Sequence, residues 1–268
     1  MNTVTRHEGS VPIRSLSPFE LERFEREGLL SGFQLYEVER TETIRAALQE
    51  VISLPSTAPC HQMFPPEERL MFDRHLDRRL VYDLCTLPEV IRPITQILGD
   101  DLMVFRTQFF EKGPHGPEIP WHQESYFWRM QRGWITMWLA VDDATPENGA
   151  MRVITGSHTH TREHLPVSPN SHYWNTFTRA AIPKESDLIV DCSMPAGHFM
   201  LFDDLLHNSP CNPTASPRLS FTARYARPDF AKVHDLTSFE CVMVSGNNRD
   251  SGLRVSAPPD NGPSLACV

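Results

Sequence analysis

The sequence has no long apolar run and no cluster of cysteines. No stretch approaches the roughly 18 consecutive apolar residues that a membrane-spanning helix needs. The first residues, MNTVTRHEGSVPIRSLS, lack the apolar core of a signal peptide. The cysteines include no CxxC pair, which predicts free thiols in a reducing compartment; they are Cys60, Cys85, Cys192, Cys211, Cys241 and Cys267. We therefore expect a cytoplasmic protein that does not act at a membrane.

Basic residues are also in deficit. The 268 residues include 25 Lys and Arg against 34 Asp and Glu, for a formal net charge of -9, and no basic run stands out. Such a surface is a poor partner for nucleic acid or an anionic membrane. Hydrophobic residues make up 40% and charged residues 22%, which is ordinary for a globular protein. We expect a single domain over residues 1–268 with a full-sized core.

The first hundred residues show mostly helical patterns. SPFELERFEREGLL begins with the cap signal Ser17–Pro18, and TETIRAALQEVIS has apolar residues on one face. EERLMFDRHL and LPEVIRPITQILGD follow a proline-containing loop; the latter ends at Gly99, and Pro93 bends it or delays its start. These patterns predict a mostly helical cover over about residues 15–99.

From residue 101 the pattern changes to strands. Six short segments are rich in β-branched and aromatic residues and are separated by Gly, Pro and Asn turns: DLMVFRTQFFEK, GWITMWLAVDDA, MRVITGS, DLIVDCS, GHFMLFDD and RLSFTARYAR. They predict a mainly β fold, an antiparallel sandwich or jelly roll over about 101–230, with the helices on one face. The tail over about 246–268 has little periodicity, and we expect it to be mobile or to act as a lid.

IPWHQESYFW places His122 and Glu124 two residues apart. On a strand both side chains would project from the same face, with Gln123 on the other. Burying an unpartnered carboxylate is costly, and a metal ion would supply the missing positive charge beside a neutral imidazole. Taken alone, the two residues fit an ordinary hydrogen-bonded strand pair equally well. A metal site needs a third ligand.

His207 is the candidate for that ligand. It lies 83 positions after Glu124 (207 − 124), far enough for several intervening strands. Two histidines and one carboxylate form the facial triad that holds Fe(II) with coordination positions open. Arg218, eleven positions further on (218 − 207), offers a guanidinium fork that could bind a carboxylate. The combination suggests a 2-oxo acid bound to iron.

Several longer segments resemble a known family. SPFELERFEREGLL, WHQES, ENGAMRVITGSH and LLHNSPCNPTASPRLSFTARY resemble the phytanoyl-CoA dioxygenase family of Fe(II)/2-oxoglutarate-dependent oxygenases. FDRHLDRRLVYDLC, FRTQFFEK, WHQ and FTARY are similar to the syringomycin-type aliphatic halogenases and their hydroxylating relatives within it. The resemblance implies a double-stranded β-helix, a cupin-like jelly roll, in agreement with the strand pattern.

The resemblance also implies roles for individual residues. His122, Glu124 and His207 would be the iron ligands, and Arg218 would pair with the distal carboxylate of 2-oxoglutarate. The remaining positions match the co-substrate side, at Thr136, Ser209 and Gln108, and the wall of the substrate pocket, at Phe110, Trp138 and Arg224.

Glu124 departs from the family pattern. The hydroxylases usually have Asp at this position, and the halogenases have Gly or Ala there, which vacates a position for chloride. Since Glu124 keeps a carboxylate, the implied reaction is hydroxylation of an unactivated C–H bond. It would use Fe(II), 2-oxoglutarate and O2 and release succinate and CO2. The expected substrate is a small molecule of natural-product or amino acid biosynthesis.

Other functions stay open at this point. Desaturation, epoxidation or cyclisation are related outcomes, and an aminoacyl group on a carrier protein is an alternative substrate. A metal-binding β-sandwich without catalysis is the alternative from another class. SHTHTREH places His158, His160 and His164 at spacings that could hold zinc, but no cysteine or carboxylate motif completes that site. We expect this segment to be a solvated loop.

Overall fold

A computed structural model of the chain describes residues 12–58, 68–129, 132–168, 178–233, 240–247 and 253–268. The chain divides into two compact units. Unit 1 comprises Met1–Leu16, Phe33–Phe109 and Ala223–Val268, and unit 2 comprises Ser17–Gly32 and Phe110–Thr222. The expectation of a single domain stays a prediction. In the described ranges no helix is both long and apolar enough to cross a membrane.

Helices form where caps and apolar faces predict them. The α-helices are α1 (Pro18–Glu27), α2 (Thr41–Ser53), α3 (Arg79–Thr86), α4 (Pro88–Leu98), α5 (Glu124–Trp128) and α6 (Pro228–Val233). In α1, Ser17 forms a capping box with Glu20, and Gly28 ends the helix in the left-handed conformation at φ 73°. Pro93 lies inside α4, which starts at Pro88, so this proline does not delay the helix start.

Two parts of the first hundred residues are not helical as predicted. EERLMFDRHL forms only short 3-10 turns, at Glu68–Leu70 and Arg74–Leu76. Asp73 between them adopts a left-handed φ of 50°, and its backbone N–H and its carboxylate bond to the backbone of Thr107. This exchange with a distant strand replaces the helical bonds. A strand, Leu29–Gln34, also follows directly after α1.

The predicted strand region is confirmed, since all six segments contain a strand. The strands are β1 (Leu29–Gln34), β2 (Leu102–Lys112), β3 (Ile119–His122), β4 (Trp134–Ala140), β5 (Arg152–Ile154), β6 (Leu165–Pro166), β7 (Arg179–Ala180), β8 (Ile189–Asp191), β9 (His198–Phe202), β10 (His207–Ser209), β11 (Arg218–Ala226), β12 (Glu240–Ser245) and β13 (Arg254–Val255).

Unit 2 is built on two layers of strands. One layer has the order β3-β10-β5-β8, and in the other β4 lies between β9 and β11. Trp138 of β4 is opposite Met200 of β9, and both belong to one buried apolar cluster with Val153 of β5 and with Cys192. The apolar core of unit 2 therefore lies between its two layers, as in a β-sandwich.

In unit 1, β12 pairs antiparallel with β2 and parallel with β13. The described part of the tail, 253–268, lies against α3. Asn261 accepts a hydrogen bond from the backbone of Arg79, and the backbone N–H of Leu265 donates to the Asp83 carboxylate at 2.9 Å. These contacts hold the described tail in place, which differs from the expectation of a mobile segment.

Candidate active site

Two strands and a helix of unit 2 bring His122, Glu124 and His207 together. His207 of β10 lies directly opposite His122 of β3 in the antiparallel ladder, and their ring centroids are 4.1 Å apart. Glu124 is the first residue of α5. One ligand atom from each of the three residues lies within 4.8 Å of the other two. The group could therefore hold one metal ion.

Glu124 reaches this position by a different route from the predicted one. β3 ends at His122, so the alternation of a strand does not align the two side chains. The backbone N–H of Gln123 donates to Nε2 of His164 at 3.1 Å. The backbone N–H of Ser125 donates to the Asp204 carboxylate at 3.0 Å. Side chains thus accept the bonds that a continuing strand would make, and the chain turns into α5.

Both histidines present the same ring nitrogen. Nδ1 of His122 lies 2.8 Å from the carbonyl oxygen of Pro120, and Nδ1 of His207 lies 2.8 Å from that of Leu205. A carbonyl only accepts, so each Nδ1 carries the proton and each Nε2 keeps a lone pair. Burial, followed by the nearby His207, lowers the pKa of His122 to about 3. The His122 ring is therefore neutral at physiological pH, as a metal ligand must be.

Arg218, the first residue of β11, is a buried cation with neutral partners. Its guanidinium donates to the carbonyl of Gly149 and, at 3.4 Å, to the hydroxyl of Ser209, and it lies 5.7 Å from the centre of the Trp138 ring. Among the described residues no carboxylate forms an ion pair with it, and its Nε has no hydrogen-bond partner. Burial lowers the pKa of Arg218 to about 10. A ligand carboxylate would complete this arrangement.

Lys112, at the end of β2, is a second buried cation of unit 2. Its ammonium donates to three carbonyls, those of Pro117 at 3.0 Å, Ser209 at 2.8 Å and Pro210 at 2.5 Å. Burial, followed by the charge of Arg218, lowers the pKa of Lys112 to about 7. The sequence analysis did not single out this residue. A lysine that closes an apolar strand was its only local signal.

The structure brings only some of the other predicted site residues into contact. Ser209 donates its hydroxyl proton to the carbonyl of Gly149 at 2.8 Å, beside Arg218. Thr136 is buried in β4 opposite Phe202, and Phe110 lies on β2 in unit 2. Gln108 and Arg224 belong to unit 1; Gln108 forms a bridge with Phe72. The roles given to these residues stay predictions.

The expectation of a solvated loop is wrong for two of the three histidines in SHTHTREH. His158 and His164 are buried, whereas His160 is exposed. Nε2 of His158 lies 3.2 Å from the carbonyl of Glu25, and the ring of His164 stacks on Tyr126 at 4.0 Å. In the part of the chain that the structure describes, these histidines form no metal-ligating group; the only one found is His122, Glu124 and His207.

Comparisons with known proteins agree with this geometry. The ectoine dioxygenase of Stutzerimonas stutzeri (strain A1501) is 27% identical over 232 residues, which are 79% of this chain and 77% of the relative. The L-proline trans-4-hydroxylase of Streptomyces griseoviridis is 28% identical over 172 residues, 56% of this chain and 64% of the relative.

A solved structure described as CytC3 with Fe(II) and alpha-ketoglutarate matches with a TM-score of 0.67 at 21% identity, covering 90% of this chain and 93% of the other. This likeness confirms the predicted jelly-roll fold. The model of the family described as phytanoyl-CoA dioxygenase (PhyH) matches residues 24–220. The chain belongs to the phytanoyl-CoA dioxygenase family.

Proposed function

We propose that the protein is an Fe(II)/2-oxoglutarate-dependent dioxygenase that hydroxylates an unactivated C–H bond of a small molecule. The observation that carries this proposal is the convergence of three ligand atoms within 4.8 Å, with Nδ1 of both histidines engaged by backbone carbonyls. The donor set is two neutral imidazoles and one carboxylate. That set suits Fe(II) and leaves coordination positions open for a co-substrate and oxygen.

Each residue of the site has a defined task in this proposal. His122, Glu124 and His207 hold the iron, and the backbone carbonyls behind the rings fix the ring orientation. Arg218 binds the distal carboxylate of 2-oxoglutarate through its fork, with Ser209 beside it. Trp138 covers the guanidinium. When bound, the metal and 2-oxoglutarate supply the activation of O2, with release of succinate and CO2.

The remaining predicted residues complete the proposal around these groups. Thr136 and Gln108 line the co-substrate side, and Phe110, Trp138 and Arg224 form the wall of the substrate pocket. Their contribution would be to orient the substrate and to exclude water.

The substrate class is argued from the names of the relatives. Ectoine dioxygenase and L-proline trans-4-hydroxylase are named for reactions on small molecules. We place the substrate among small amino acid-like molecules of specialised biosynthesis. Desaturation, epoxidation or cyclisation would differ only in the fate of the same C–H bond. An aminoacyl group on a carrier protein is the less favoured substrate, since a chain of net charge -9 would need a local basic surface to dock an acidic carrier.

A cytoplasmic location is part of the proposal. Cys85, Cys192, Cys211, Cys241 and Cys267, which the structure describes, are free thiols. Free thiols are expected in a reducing compartment.

Anaerobic titration of the protein with Fe(II) and 2-oxoglutarate tests the proposal. The expected result is a visible metal-to-ligand charge-transfer band that needs both components. His207→Ala should abolish the band, because it removes one ligand, whereas the matched change His160→Ala at an exposed histidine should leave it intact. A wild-type protein that binds iron without the band would be a metal-binding β-sandwich instead.

Substrate screening follows the titration. Ectoine, L-proline and related compounds are added with O2, and succinate formation and product mass are measured. A mass gain of one oxygen indicates hydroxylation, and a loss of two hydrogens indicates desaturation or ring closure. Stimulation only by carrier-bound aminoacyl groups would overturn the free small molecule as substrate.

A further inference from the structure

The backbone between two of the proposed iron ligands is held from both sides. Gln123, which separates His122 from Glu124, is fully buried. Its backbone N–H donates to Nε2 of His164 at 3.1 Å, and the backbone N–H of Ser125 donates to the Asp204 carboxylate at 3.0 Å. The peptide groups on either side of Glu124 are therefore anchored to side chains from other parts of unit 2.

The tautomer of His164 follows from its two hydrogen bonds. Nδ1 lies 2.9 Å from the carbonyl oxygen of Arg162, so Nδ1 carries the proton and Nε2 accepts from Gln123. Burial lowers the pKa of His164, which favours this neutral form. The ring stacks on Tyr126 at 4.0 Å and meets the edge of Phe127 at 5.5 Å. His164 thus contacts the chain on both sides of Glu124.

The side chain of Gln123 ties the same segment to the junction between β3 and α5. Its amide nitrogen donates to the carbonyls of His160 at 3.2 Å and Asp204 at 3.0 Å, and its amide oxygen accepts from the backbone N–H of Arg162 at 2.9 Å. Buried polar groups with this many partners form a rigid network. Movement of His164 or Asp204 would therefore be transmitted to residues 123 to 125.

We infer that His164 and Asp204 are positioning residues that turn the chain after His122 and so place the Glu124 carboxylate at the metal. The inference deepens the proposed function and rests on it. A glutamate has one more rotatable bond than an aspartate, so its carboxylate needs a backbone that is fixed more firmly. The turn moves the backbone of Glu124 off the strand, and the longer side chain spans the remaining distance.

Paired substitutions separate this role from general packing. His164→Phe keeps a ring against Tyr126 and removes the acceptor, whereas His164→Gln restores an acceptor at a similar reach. Asp204→Leu removes the second acceptor, and Asp204→Asn retains it. The control is His160→Gln, an exposed position in the same segment.

Anaerobic Fe(II) titration and thermal melting of the metal-free protein are the two measurements. We expect His164→Phe and Asp204→Leu to weaken Fe(II) binding by about 10- to 100-fold, as is typical when partners of metal ligands are lost. His164→Gln and Asp204→Asn should bind within a few-fold of the wild type, as should the control. A purely structural role would lower the melting temperature and leave the affinity of the folded protein unchanged.

The outcomes for the inference and for the proposed function are distinct. A wild-type protein that binds no Fe(II) would overturn both. A wild-type protein that binds Fe(II), together with a His164→Phe protein of equal affinity, would overturn the inference alone. If His164→Phe does not fold, the Asp204→Leu and Asp204→Asn pair decides, and equal affinities in that pair would overturn the inference.

Discussion

Arg218 stores an unmatched positive charge inside unit 2. Its described partners are a carbonyl, a hydroxyl and an aromatic ring, none of which is charged. Removing a guanidinium from water without a counter-ion is costly, and the cost is recovered when a carboxylate enters. The residue is therefore arranged for an anionic ligand before that ligand arrives.

Arg218→Ala should raise the 2-oxoglutarate concentration needed for half-saturation. A lost charged hydrogen bond corresponds to about 1.5 to 3 kcal/mol, or roughly 10- to 150-fold. The measurement is titration of the charge-transfer band with 2-oxoglutarate at saturating Fe(II). Fe(II) binding without 2-oxoglutarate serves as the control and should change little. An unchanged 2-oxoglutarate requirement would remove Arg218 from the co-substrate site.

Lys112 should make stability depend on alkaline pH. Its pKa is about 7 in the folded chain against an ordinary value of 10.5, so between these values the unfolded chain binds more protons. Stability contributed by this position therefore rises as pH increases from about 7 to 10.5, with a slope of at most about 1.4 kcal/mol per pH unit. Below pH 7 the lysine is charged in both states, and the slope disappears.

Comparison with Lys112→Met isolates this effect from other titrating groups. The free energy of unfolding of each protein is measured in urea at several pH values, and the difference, wild type minus variant, should increase between pH 7 and 10.5. A difference that stays flat across this range would mean that the three carbonyls keep the ammonium protonated.

At the scale of elements, the junction between β3 and α5 marks the limit of reading structure from local sequence. His122, Glu124 and the distant His207 were identified from their types, their spacing and the family resemblance. The strand predicted through Glu124 was wrong because its competitors are distant. The acceptor for the Gln123 N–H lies 41 positions away, and that for Ser125 lies 79 positions away. No pattern within a short window reports such bonds.

The turn at Gly149 supports the site from an element that the sequence analysis passed over. It follows the 3-10 turn Pro146–Asn148 and adopts a left-handed φ of 76°. Its carbonyl accepts hydrogen bonds from both Ser209 and Arg218. A Cβ at this position would lie 2.4 Å from the carbonyl oxygen of Pro210. Only glycine fits without displacing that backbone.

Gly149→Ala should therefore destabilise the chain by about 1 to 3 kcal/mol, with weaker 2-oxoglutarate binding in the folded fraction. The matched control is Gly32→Ala, which shares a left-handed φ of 83° but has nothing within 4 Å of the added Cβ. Urea unfolding of both variants measures the difference. Equal losses would show that the backbone conformation alone, and not the contact with Pro210, requires the glycine.

For the whole molecule, the class of fold was predictable and the grouping of its segments was not. Short apolar strands separated by turn residues indicated the jelly roll, and the likeness to known structures confirms it. Unit 1, in contrast, combines three stretches of chain that are far apart in sequence. The tail has little periodicity of its own, so its place on α3 depends on partners such as Asp83 that local patterns do not reveal.

Leu265→Ala tests whether the tail is part of the folded structure. Leu265 is 5% exposed, whereas Val255 in the same tail is 43% exposed. Truncating the buried side chain should cost about 2 kcal/mol, and Val255→Ala should stay within about 0.5 kcal/mol of the wild type. The free energy of unfolding is measured for both. If neither substitution changed it, the tail would be a loosely attached segment, as a lid would be.

The opposition of His122 and His207 across the β3–β10 ladder links the lifetime of the protein to its iron supply. The two residues are 85 positions apart (207 − 122), yet a single bound ion would join their strands like a removable cross-link. Binding to the folded form alone shifts the equilibrium away from opened forms. Under iron starvation β10 should exchange its amide hydrogens sooner and become the first target of proteases, so the cell would clear the idle enzyme preferentially.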